Sequence, residues 1–379
     1  MARIRIDDPL NPCLIGVARA AEALGLNRTI THAGPPIRWS FMPGPLQYAL
    51  VMALALEGVV TPSELREIMS LPTDVKKEAC AHVLSAAVDN GSWTIGSNWD
   101  LGMVAPLTGV VSPSMAVWQV RDEQSGLVTT VPVNEGPGPS MRFGTVHSAV
   151  LDRQSWLSTE FLAEMSKILQ GDPLPLWDIA EHGLENGDEL HMRTVAASQK
   201  FHRVAVRRGL STSSVGQFLK DNPGTFLNLA MGMAGNYLRY WERYGPSGTV
   251  VAIGANGRDF GVRCRENPGQ WLLNPVPSPM VSRIGTGPLM GDSFVLEVLG
   301  LGGRIPQYAP KLWPQIGHGP WSDTPGAFME RRLRRSGSLL TLGLRCPEVG
   351  QTFYHSAAIG AEGTYLGVIR GQMPKFHNG

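Results

Sequence analysis

Helical and strand-like residue patterns follow one another in long blocks along this chain, rather than alternating element by element. Helical spacing of apolar residues dominates residues 14–87, and β-branched, strand-like runs follow over 104–133. Helical patterns return over 150–243, and strand-like runs return from Gly248 onwards. Strict alternation would favour a parallel α/β sheet, whereas blocks favour an α+β fold. We therefore predict an α+β fold with mixed sheets and a mainly helical middle segment.

Chain length and turn residues indicate how this fold is divided. With 379 residues, the chain is long enough for two or three domains that each have a core. Its 44 glycines and 29 prolines show no period, which indicates many tight turns rather than disorder. We predict an N-terminal α/β domain with a glycine-rich loop over 1–150, a mainly helical segment over 151–245 and a C-terminal α+β domain over 246–379.

Three local patterns make specific structural predictions. Apolar spacing predicts one helix over Leu14–Leu24. Thr61 followed by Glu64 predicts a capping box at the start of a helix. Asn256-Gly257 lies between two strand-like runs and predicts a type I′ hairpin turn.

Charge and hydropathy exclude two classes of partner. Charged residues make up 17% of the chain and the net charge is only +1, so no basic surplus points to nucleic acid or to an acidic membrane surface. The most apolar run, Ala49 to Val60, is too short to span a bilayer and contains Glu57. We therefore predict a soluble protein with no nucleic-acid partner and no membrane partner.

Cysteine spacing and the N-terminal residues bear on cellular location. The four cysteines form no CxxC pair, which fits a reducing cytoplasm and gives no zinc signature. Met1 to Arg5 contains no apolar core and no cleavage site, so we expect no signal peptide. Together these observations predict a cytoplasmic protein. The cysteines are Cys13, Cys80, Cys264 and Cys346.

The chain has one strongly basic run, from Arg331 to Arg335, with only Leu333 interrupting it. A solvated helix face is the ordinary interpretation of such a run. A patch that binds an anion or a partner is the alternative.

Residues 185–193 form the densest run of chemically able side chains, Glu-Asn-Gly-Asp-Glu-Leu-His-Met-Arg. Asn186-Gly187 predicts the end of one helix, and Asp188 predicts the N-cap of the next. The acidic, imidazole and guanidinium side chains that follow would then lie in the first turns of that helix. Unpaired backbone amides and the helix dipole favour anions there.

These side chains together form a candidate active site. We predict Glu189 and His191 as catalytic acid–base groups, Arg193 as a clamp for a planar anion and Asp188 as a further substrate-binding residue. A simple helix cap with an i,i+4 pair of Glu189 and Arg193 explains the same spacing without any function. A divalent cation held by His191, these carboxylates and Glu185 is a third interpretation, ranked lower because only one histidine is local.

Asn134 to Gly144 is a second candidate region. It contains three glycines and two prolines, which force an irregular backbone whose amides can converge on a ligand. We predict Arg142 as a second anion clamp, Asn134 and Gly136 as substrate-binding residues and Glu135 as a further catalytic acid–base candidate. A plain surface loop is the alternative.

A set of short motifs, taken in order over about residues 15 to 315, resembles the YlbE-like bacterial family of formerly unknown function. Each motif is weak alone, but the ordered set is specific. The motifs are Thr31-His32-Ala33-Gly34-Pro35-Pro36-Ile37, Gly109-Val110-Val111-Ser112-Pro113-Ser114-Met115, Asn134-Glu135-Gly136 with Arg142-Phe143-Gly144, Gly187-Asp188-Glu189 with His191 and Arg193, Phe226-Leu227-Asn228, Asn256-Gly257 with Phe260-Gly261, and Gly291-Asp292-Ser293 with Glu297 and Gly300-Leu301-Gly302-Gly303.

This resemblance implies a function, because the family includes a subunit of oxamate carbamoyltransferase. It implies carbamoyl or related C–N chemistry on a small anionic amide or ureide. It marks Asn228, Asn256, Asp292 and Ser293 as further substrate-binding candidates. The partners it admits are a second copy of the chain in a homo-oligomer or other carbamoyltransferase-type subunits. No cofactor is predicted, and a divalent metal has no support beyond the third interpretation above.

Three functions stay open on the sequence alone. The chain is an enzyme of carbamoyl transfer, a stand-alone amide or ureide C–N hydrolase or lyase, or a non-catalytic subunit that binds a metabolite. In each case we expect 134–144, 187–193 and 291–293 to meet in one cleft, because polar, glycine-framed stretches tend to converge on binding sites.

Overall fold

A computed structural model describes residues 6–276, 289–312, 327–346, 353–359 and 365–372. Its fold is mixed α+β, with several small sheets and a helical middle segment, as predicted. None of the described helices combines the length and the hydrophobicity needed to cross a bilayer.

The first large sheet has the strand order β6-β5-β2-β7, and its neighbouring strands are antiparallel. The central strand β2 pairs on both sides and is buried on both faces along part of its length, which suits an apolar run ending in Val17 and Ala18. The strands are β2 (Pro12–Arg19), β5 (Ala116–Asp122), β6 (Val128–Pro132) and β7 (Leu174–Pro175).

The second large sheet has the strand order β10-β9-β8-β11 and is also antiparallel. Every residue of β8 is buried. The strands are β8 (Val250–Asn256), β9 (Asp259–Cys264), β10 (Leu272–Pro275) and β11 (Met290–Gly291).

The long helix α10 (Thr225–Tyr244) contacts strands of both large sheets. Small residues on this helix allow close packing: a Cβ at Gly235 would lie 2.4 Å from Cγ2 of Thr129 on β6. Tyr237 and Trp241 continue the buried face, and Trp177 donates a 3.0 Å hydrogen bond from Nε1 to the Tyr237 hydroxyl. Helix α10 therefore belongs to a core that reaches both sheets.

The remaining elements are shorter. The N-terminal helices α1 (Ala20–Leu24), α2 (Gly44–Leu56), α3 (Pro62–Ser70) and α4 (Thr73–Leu84) surround a second apolar cluster, and α2 is buried along most of its length. The middle segment contains α5 (Ser148–Trp156), α6 (Leu162–Ile168), α7 (Trp177–Glu185), α8 (Val195–Arg207) and α9 (Ser214–Asp221), and α11 (Val295–Leu299) follows β11. The small sheets contain β1 (Ile6–Asp7), β3 (Thr29–His32), β4 (Thr94–Ser97), β12 (Met329–Arg332), β13 (Leu339–Leu342), β14 (Phe353–Ile359) and β15 (Tyr365–Gln372).

Two sequence predictions need correction in this part of the fold. The helix predicted over Leu14–Leu24 is wrong in its first half, since residues up to Arg19 belong to β2 and only α1 is helical. Pairing of β2 with β5 and β7 overrides the local helical spacing. The basic run begins in β12 and continues into a turn, so it is not a helix face.

Two local predictions concern turns and caps. The capping box is confirmed, because the Thr61 side chain accepts from Glu64 N and the Glu64 carboxylate accepts from Thr61 N. The hairpin between β8 and β9 is confirmed, but Asn256 has no positive φ, so the type I′ geometry is wrong. Its side chain instead accepts hydrogen bonds from the amides of Arg258 and Asp259.

Cys264 and Cys346 are joined by a disulfide, which their separation of 82 residues did not reveal. Cys13 and Cys80 are free and buried, and burial raises the pKa of both thiols. Because disulfides are uncommon in reducing compartments, this bond weakens the cysteine-based reason for a cytoplasmic location. That location stays a prediction.

Candidate functional site

A cavity of about 810 Å³, called the main cavity below, opens between the 134–145 loop, the 191–195 segment and Ser293. Its volume falls in the range of small-molecule sites, roughly 300–1,000 Å³. The three stretches expected to meet in one cleft all contribute to its wall, which confirms that part of the prediction. Residues 222–224, Leu227 and Lys311 also line it.

The loop wall is shaped by the carboxylate of Glu135. This carboxylate accepts hydrogen bonds from the backbone amides of Met141, at 2.7 Å, and Arg142, at 3.1 Å, and from Nε2 of Gln154, at 2.8 Å. Glu135 is 5% exposed and lies beside a smaller adjoining void rather than in the wall of the main cavity. Its geometry suits positioning of the loop, and its predicted catalytic role stays a prediction.

Three asparagine side chains brace the start of this loop. Asn228 on α10 donates to the carbonyl of Pro132 at 2.7 Å, and its oxygen accepts from Nδ2 of Asn134 at 3.0 Å. Asn222 donates from Nδ2 to the Asn134 carbonyl at 3.2 Å. The Asn134 oxygen in turn accepts from the amide of Gly136 at 3.0 Å. Asn134 and Gly136 therefore reach the cavity, while Asn228 lies behind them.

Arg142 brings a guanidinium to the cavity wall. Its Nη2 donates to the carbonyl of Gly136 at 3.0 Å, and the guanidinium carbon lies 4.6 Å from the centre of the Phe143 ring. Burial lowers the pKa of Arg142, and the charge of Glu135 opposes that shift. Among the described residues, the buried Nε of Arg142 has no hydrogen-bond acceptor.

The predicted helix start at Asp188 is wrong, because α8 begins at Val195. The chain between α7 and α8 instead turns around the Glu189 carboxylate. That carboxylate accepts from the amides of His191 at 3.1 Å, Met192 at 2.5 Å and Arg193 at 2.7 Å. These contacts hold the backbone in an irregular turn, in which Leu190 has a φ of 69°.

Asp188 keeps a capping role even though the helix starts later. Its Oδ2 accepts from the amide of Ala197, in the first turn of α8, at 2.8 Å. Its Oδ1 lies 3.5 Å from Nε of Arg193. Burial raises the pKa of Asp188, while the Ala197 hydrogen bond and the Arg193 charge act in the opposite direction. Asp188 is not in the cavity wall, but it positions Arg193, which is.

His191 lines the main cavity, and one of its ring nitrogens is hydrogen-bonded to a glutamate. Its Nδ1 lies 2.9 Å from Oε1 of Glu297, and both side chains are almost fully buried. Because an ionised carboxylate only accepts, this contact favours the tautomer with the proton on Nδ1. In the part of the chain that the structure describes, Nδ1 is the only ring nitrogen with a hydrogen bond. Nε2 is therefore left to exchange a proton with a cavity ligand.

Glu297 is the functional candidate that sequence reasoning missed. It is on α11, 106 positions from His191, and it also accepts from the amide of Gly303 at 2.9 Å. Gly302 has a positive φ of 63°, and a Cβ there would lie 2.2 Å from Oε1 of Glu297. A side chain at Gly302 would therefore displace the carboxylate that orients His191. In the sequence, Glu297 lies between Gly291-Asp292-Ser293 and Gly300-Leu301-Gly302-Gly303, and this position was the signal that could have identified it.

Glu189 lies behind this pair rather than in the cavity wall. Burial raises the pKa of Glu189 to about 7, opposed by the charge of His191 and by the Arg193 amide. The Glu189 carbonyl also accepts from the amide of Gly302 at 2.8 Å, which links the two turns. The observed contacts make Glu189 a residue that shapes the site, and its predicted acid–base role stays a prediction.

Asp292 and Asn256 also lie outside the main cavity wall. Asp292 Oδ1 accepts from the amide of Gly34 at 2.7 Å, and Oδ2 accepts from Nδ2 of Asn98 and the amide of Ala105, both at 3.1 Å. Burial raises the pKa of Asp292 to about 7. The carboxylate therefore links the segments around Gly34 and around 98–105 to its own segment. The neighbouring residue Ser293 reaches the main cavity.

The charged residues in the wall of the main cavity are positively charged. Arg142, Arg193 and Lys311 line it, and the described wall contains no aspartate or glutamate. Lys311 stands alone in the sequence among apolar and proline residues, so no pattern marked it. Three cations around an otherwise largely apolar volume favour an anionic ligand over a neutral or cationic one.

The divalent-cation interpretation is not supported by the described part of the chain, which contains no cluster of three or more His, Cys, Asp or Glu side chains arranged for a metal. The Oε2 of Glu185, one of the proposed ligands, lies 3.6 Å from Nη1 of Arg335. His191 is hydrogen-bonded to Glu297 instead.

Comparison with known proteins places the chain among a small set of relatives. The family model described as oxamate carbamoyltransferase subunit AllG matches residues 94–293, more than half of the chain. Oxamate carbamoyltransferase subunit AllG of Escherichia coli (strain K12) is 28% identical over 311 residues, which is 78% of this chain and 70% of the relative. The uncharacterized protein YahG of the same strain is 27% identical over 325 residues, which is 81% of this chain and 65% of YahG.

A solved structure supports the fold. A conserved protein of unknown function from Enterococcus faecalis V583 matches with a TM-score of 0.81 and 22% sequence identity, over 96% of this chain and 91% of that one.

Proposed function

This chain belongs to the AllG family, as its motif order predicts, and we propose that it binds a small planar anionic amide and acts in carbamoyl transfer at a C–N bond. The relative that shares 28% identity is a subunit of oxamate carbamoyltransferase. Oxamate is a small planar amide with a carboxylate, which is the class of molecule that we propose for the main cavity.

This proposal rests on the positive charge of the wall of the main cavity. Arg142 and Arg193 are planar forks that match a carboxylate, and both reach the cavity from separate segments. Lys311 adds a third positive charge. The side chain of Arg193 is 41% exposed, so its charge is partly screened by solvent, whereas Arg142 is more enclosed. We expect Arg142 to contribute more to affinity.

The His191–Glu297 pair supplies the proton transfer that carbamoyl transfer needs. The molecule that receives the carbamoyl group is an amide of the oxamate class. Its amide nitrogen attacks the carbonyl carbon of an activated carbamoyl ester or anhydride. The new N–C bond forms, and the bond from that carbon to the leaving oxygen breaks. Nε2 of His191 takes the proton that the nitrogen loses, and Glu297 stabilises the resulting imidazolium through Nδ1. The proton can then pass to the leaving group.

A second candidate function is metabolite binding without turnover by the isolated chain. The observation that favours it is the description of the 28% identical relative as a subunit. On this alternative, the catalytic centre is completed by other subunits of the carbamoyltransferase type. A complete centre within this chain would also accommodate hydrolysis or lysis of the C–N bond by the chain alone.

The test combines oxamate titration by calorimetry with a carbamoyl-transfer assay on the full chain. We expect Arg142→Ala to weaken oxamate binding about 30-fold and Arg193→Ala about 10-fold, because each removes a charge-assisted hydrogen bond. Arg121→Ala, an exposed arginine on β5, is the matched control and should leave the affinity unchanged. Equal affinities in all four proteins would refute the assignment of the cavity.

The same assays separate catalysis from binding. We expect His191→Ala to bind oxamate within about 3-fold of the wild type and to lose about 100-fold in carbamoyl transfer, the usual size of a general-base effect. Glu297→Gln should reduce the rate less, because it still accepts a hydrogen bond from Nδ1. Wild-type binding without turnover would favour the metabolite-binding subunit, and unchanged turnover in His191→Ala would exclude its catalytic role.

A further inference from the structure

A second cavity, of about 360 Å³, lies where α7 and α8 meet the turn that follows β12. It shares no lining residue with the main cavity. We propose that it is an effector site for a small oxyanion that also carries an N–H donor.

Cationic side chains from two elements converge on this cavity. Lys200 and Arg207 reach it from α8, and Arg334 and Arg335 reach it from the basic run. Arg334 is held by Asp178 at 3.1 Å, in a pair whose side chains are both more than half exposed. Among the described residues, neither Lys200 nor Arg207 has a carboxylate within ion-pair distance. Positive charge therefore exceeds negative charge at this wall.

The titration of Lys200 is consistent with this crowding. Partial burial lowers its pKa, and the neighbouring charges of Arg207 and Arg335 lower it further. A phosphate or carboxylate bound between these groups would relieve their mutual repulsion and accept several charge-assisted hydrogen bonds. The second interpretation of the basic run, an anion-binding patch, is the one that this geometry favours.

Glu181 provides the second, independent observation. It lies in the cavity wall, and only 2% of its surface is exposed. Its Oε2 accepts from the amide of Arg334 at 3.1 Å, but Oε1 has no hydrogen-bond donor in the described part of the chain. Burial raises the pKa of Glu181, as expected for a poorly compensated carboxylate. A ligand N–H group would supply the missing donor to Oε1.

The position of this cavity gives its ligand a route to the main site. Helix α7 ends at Glu185 and α8 begins at Val195, so the two helices hold both ends of the turn that carries His191 and Arg193. Val195 lines the main cavity, whereas Lys200 lines the second one. A ligand that bridges α7 and α8 would therefore favour one arrangement of this turn over others.

Two matched probes test the ligand chemistry by calorimetry on the full chain. Phosphoethanolamine carries both a phosphate and an amine, and ethyl phosphate lacks the amine. We expect the wild type to bind phosphoethanolamine about tenfold more tightly, because only this probe carries an N–H donor for Glu181. Glu181→Gln should reduce that preference to less than about twofold, because it removes the charge of the acceptor.

A double substitution of partly exposed residues tests the anion site without disturbing the core. We expect Lys200→Ala with Arg207→Ala to weaken both probes at least about tenfold. Arg208→Ala removes the same charge from the end of α8, outside the cavity wall, and should change neither affinity. Failure of the wild type to bind either probe, equal binding of both probes, or unchanged binding in the double variant would each overturn the proposed ligand class.

Hydrogen exchange tests the effector role independently of any main-cavity ligand. We expect phosphoethanolamine to slow exchange of the amides of His191, Met192 and Arg193 at least about threefold in the wild type and not in the double variant. Unchanged exchange in the wild type at saturating probe would overturn the effector role.

Discussion

Two buried carboxylates, Glu189 and Asp292, organise the backbone by the same means in different surroundings. Each accepts three hydrogen bonds from the described residues. Burial raises the pKa of each to about 7. The donors to Glu189 are three successive amides beside the main cavity. The donors to Asp292 belong to Gly34, Asn98 and Ala105, which are all far from Asp292 in sequence.

The difference shows that a buried carboxylate with a raised pKa does not by itself mark a binding site. The amides that donate to Glu189 belong to His191, Met192 and Arg193, and all three residues line the main cavity. Gly34 and Asn98, held by Asp292, are not in its wall. We therefore expect Glu189 to affect the site by shaping a cavity turn and Asp292 to affect mainly stability.

The largest expected effect is on folding, in Asp292→Ala. This substitution leaves three buried donors without their acceptor and opens a small void, so we expect the free energy of unfolding to fall by about 3–5 kcal/mol. Urea unfolding measures it, with the exposed Asp172→Ala as a control that should change the same quantity by less than about 0.5 kcal/mol. A loss below about 1 kcal/mol for Asp292→Ala would contradict the fastening role.

A smaller effect should separate the two carboxylates by function. Glu189→Gln replaces one accepting oxygen with an amide NH₂ that faces backbone donors, so we expect about 1–2 kcal/mol of lost stability. Because the cavity turn shifts, oxamate affinity should fall about tenfold. Asp292→Asn should lose similar stability and keep the oxamate affinity within about twofold. Equal affinity losses in the two variants would remove the distinction drawn between these carboxylates.

A third expected effect is on pH dependence, and both carboxylates should contribute to it. The folded-state pKa of each, about 7, lies above its unfolded value, so the folded chain binds the proton more tightly. Their contribution to stability is then fully present below the unfolded pKa and is lost as the pH rises through about 7. Urea midpoints at about pH 5 and pH 8 should therefore differ less in Glu189→Gln and in Asp292→Asn than in the wild type. If both variants kept the wild-type difference between the urea midpoints at about pH 5 and pH 8, the raised pKa values of these carboxylates would be contradicted.

Local chemistry was sufficient to predict several parts of the molecule. The capping box of Thr61 and Glu64 forms because both partners lie within one turn. Helix α10 lies almost entirely in the stretch where a helical pattern was predicted, 150–243, and its apolar spacing agrees with its burial. The convergence of the glycine-rich loop with the 187–193 segment was also predicted, because polar, flexible stretches tend to meet at cavities.

Other features depend on partners that are distant in sequence. Leu14 to Arg19 has helical spacing, but two neighbouring strands recruit it into a sheet. Nothing near His191 indicates Glu297, which α11 brings within 2.9 Å of its Nδ1. The Cys264–Cys346 disulfide likewise joins elements that the spacing does not relate.

The sequence by itself determined the α+β class, the family and the types of side chain that surround the main cavity. Periodicity, turn residues and ordered motifs are local properties, so the chain displays them before it folds. The tertiary structure decided which carboxylates accept backbone hydrogen bonds, that Lys311 joins the two predicted arginines at the cavity wall, and which acid orients His191. Those outcomes depend on burial and on donors from remote segments, and only the packed chain brings these within hydrogen-bonding distance.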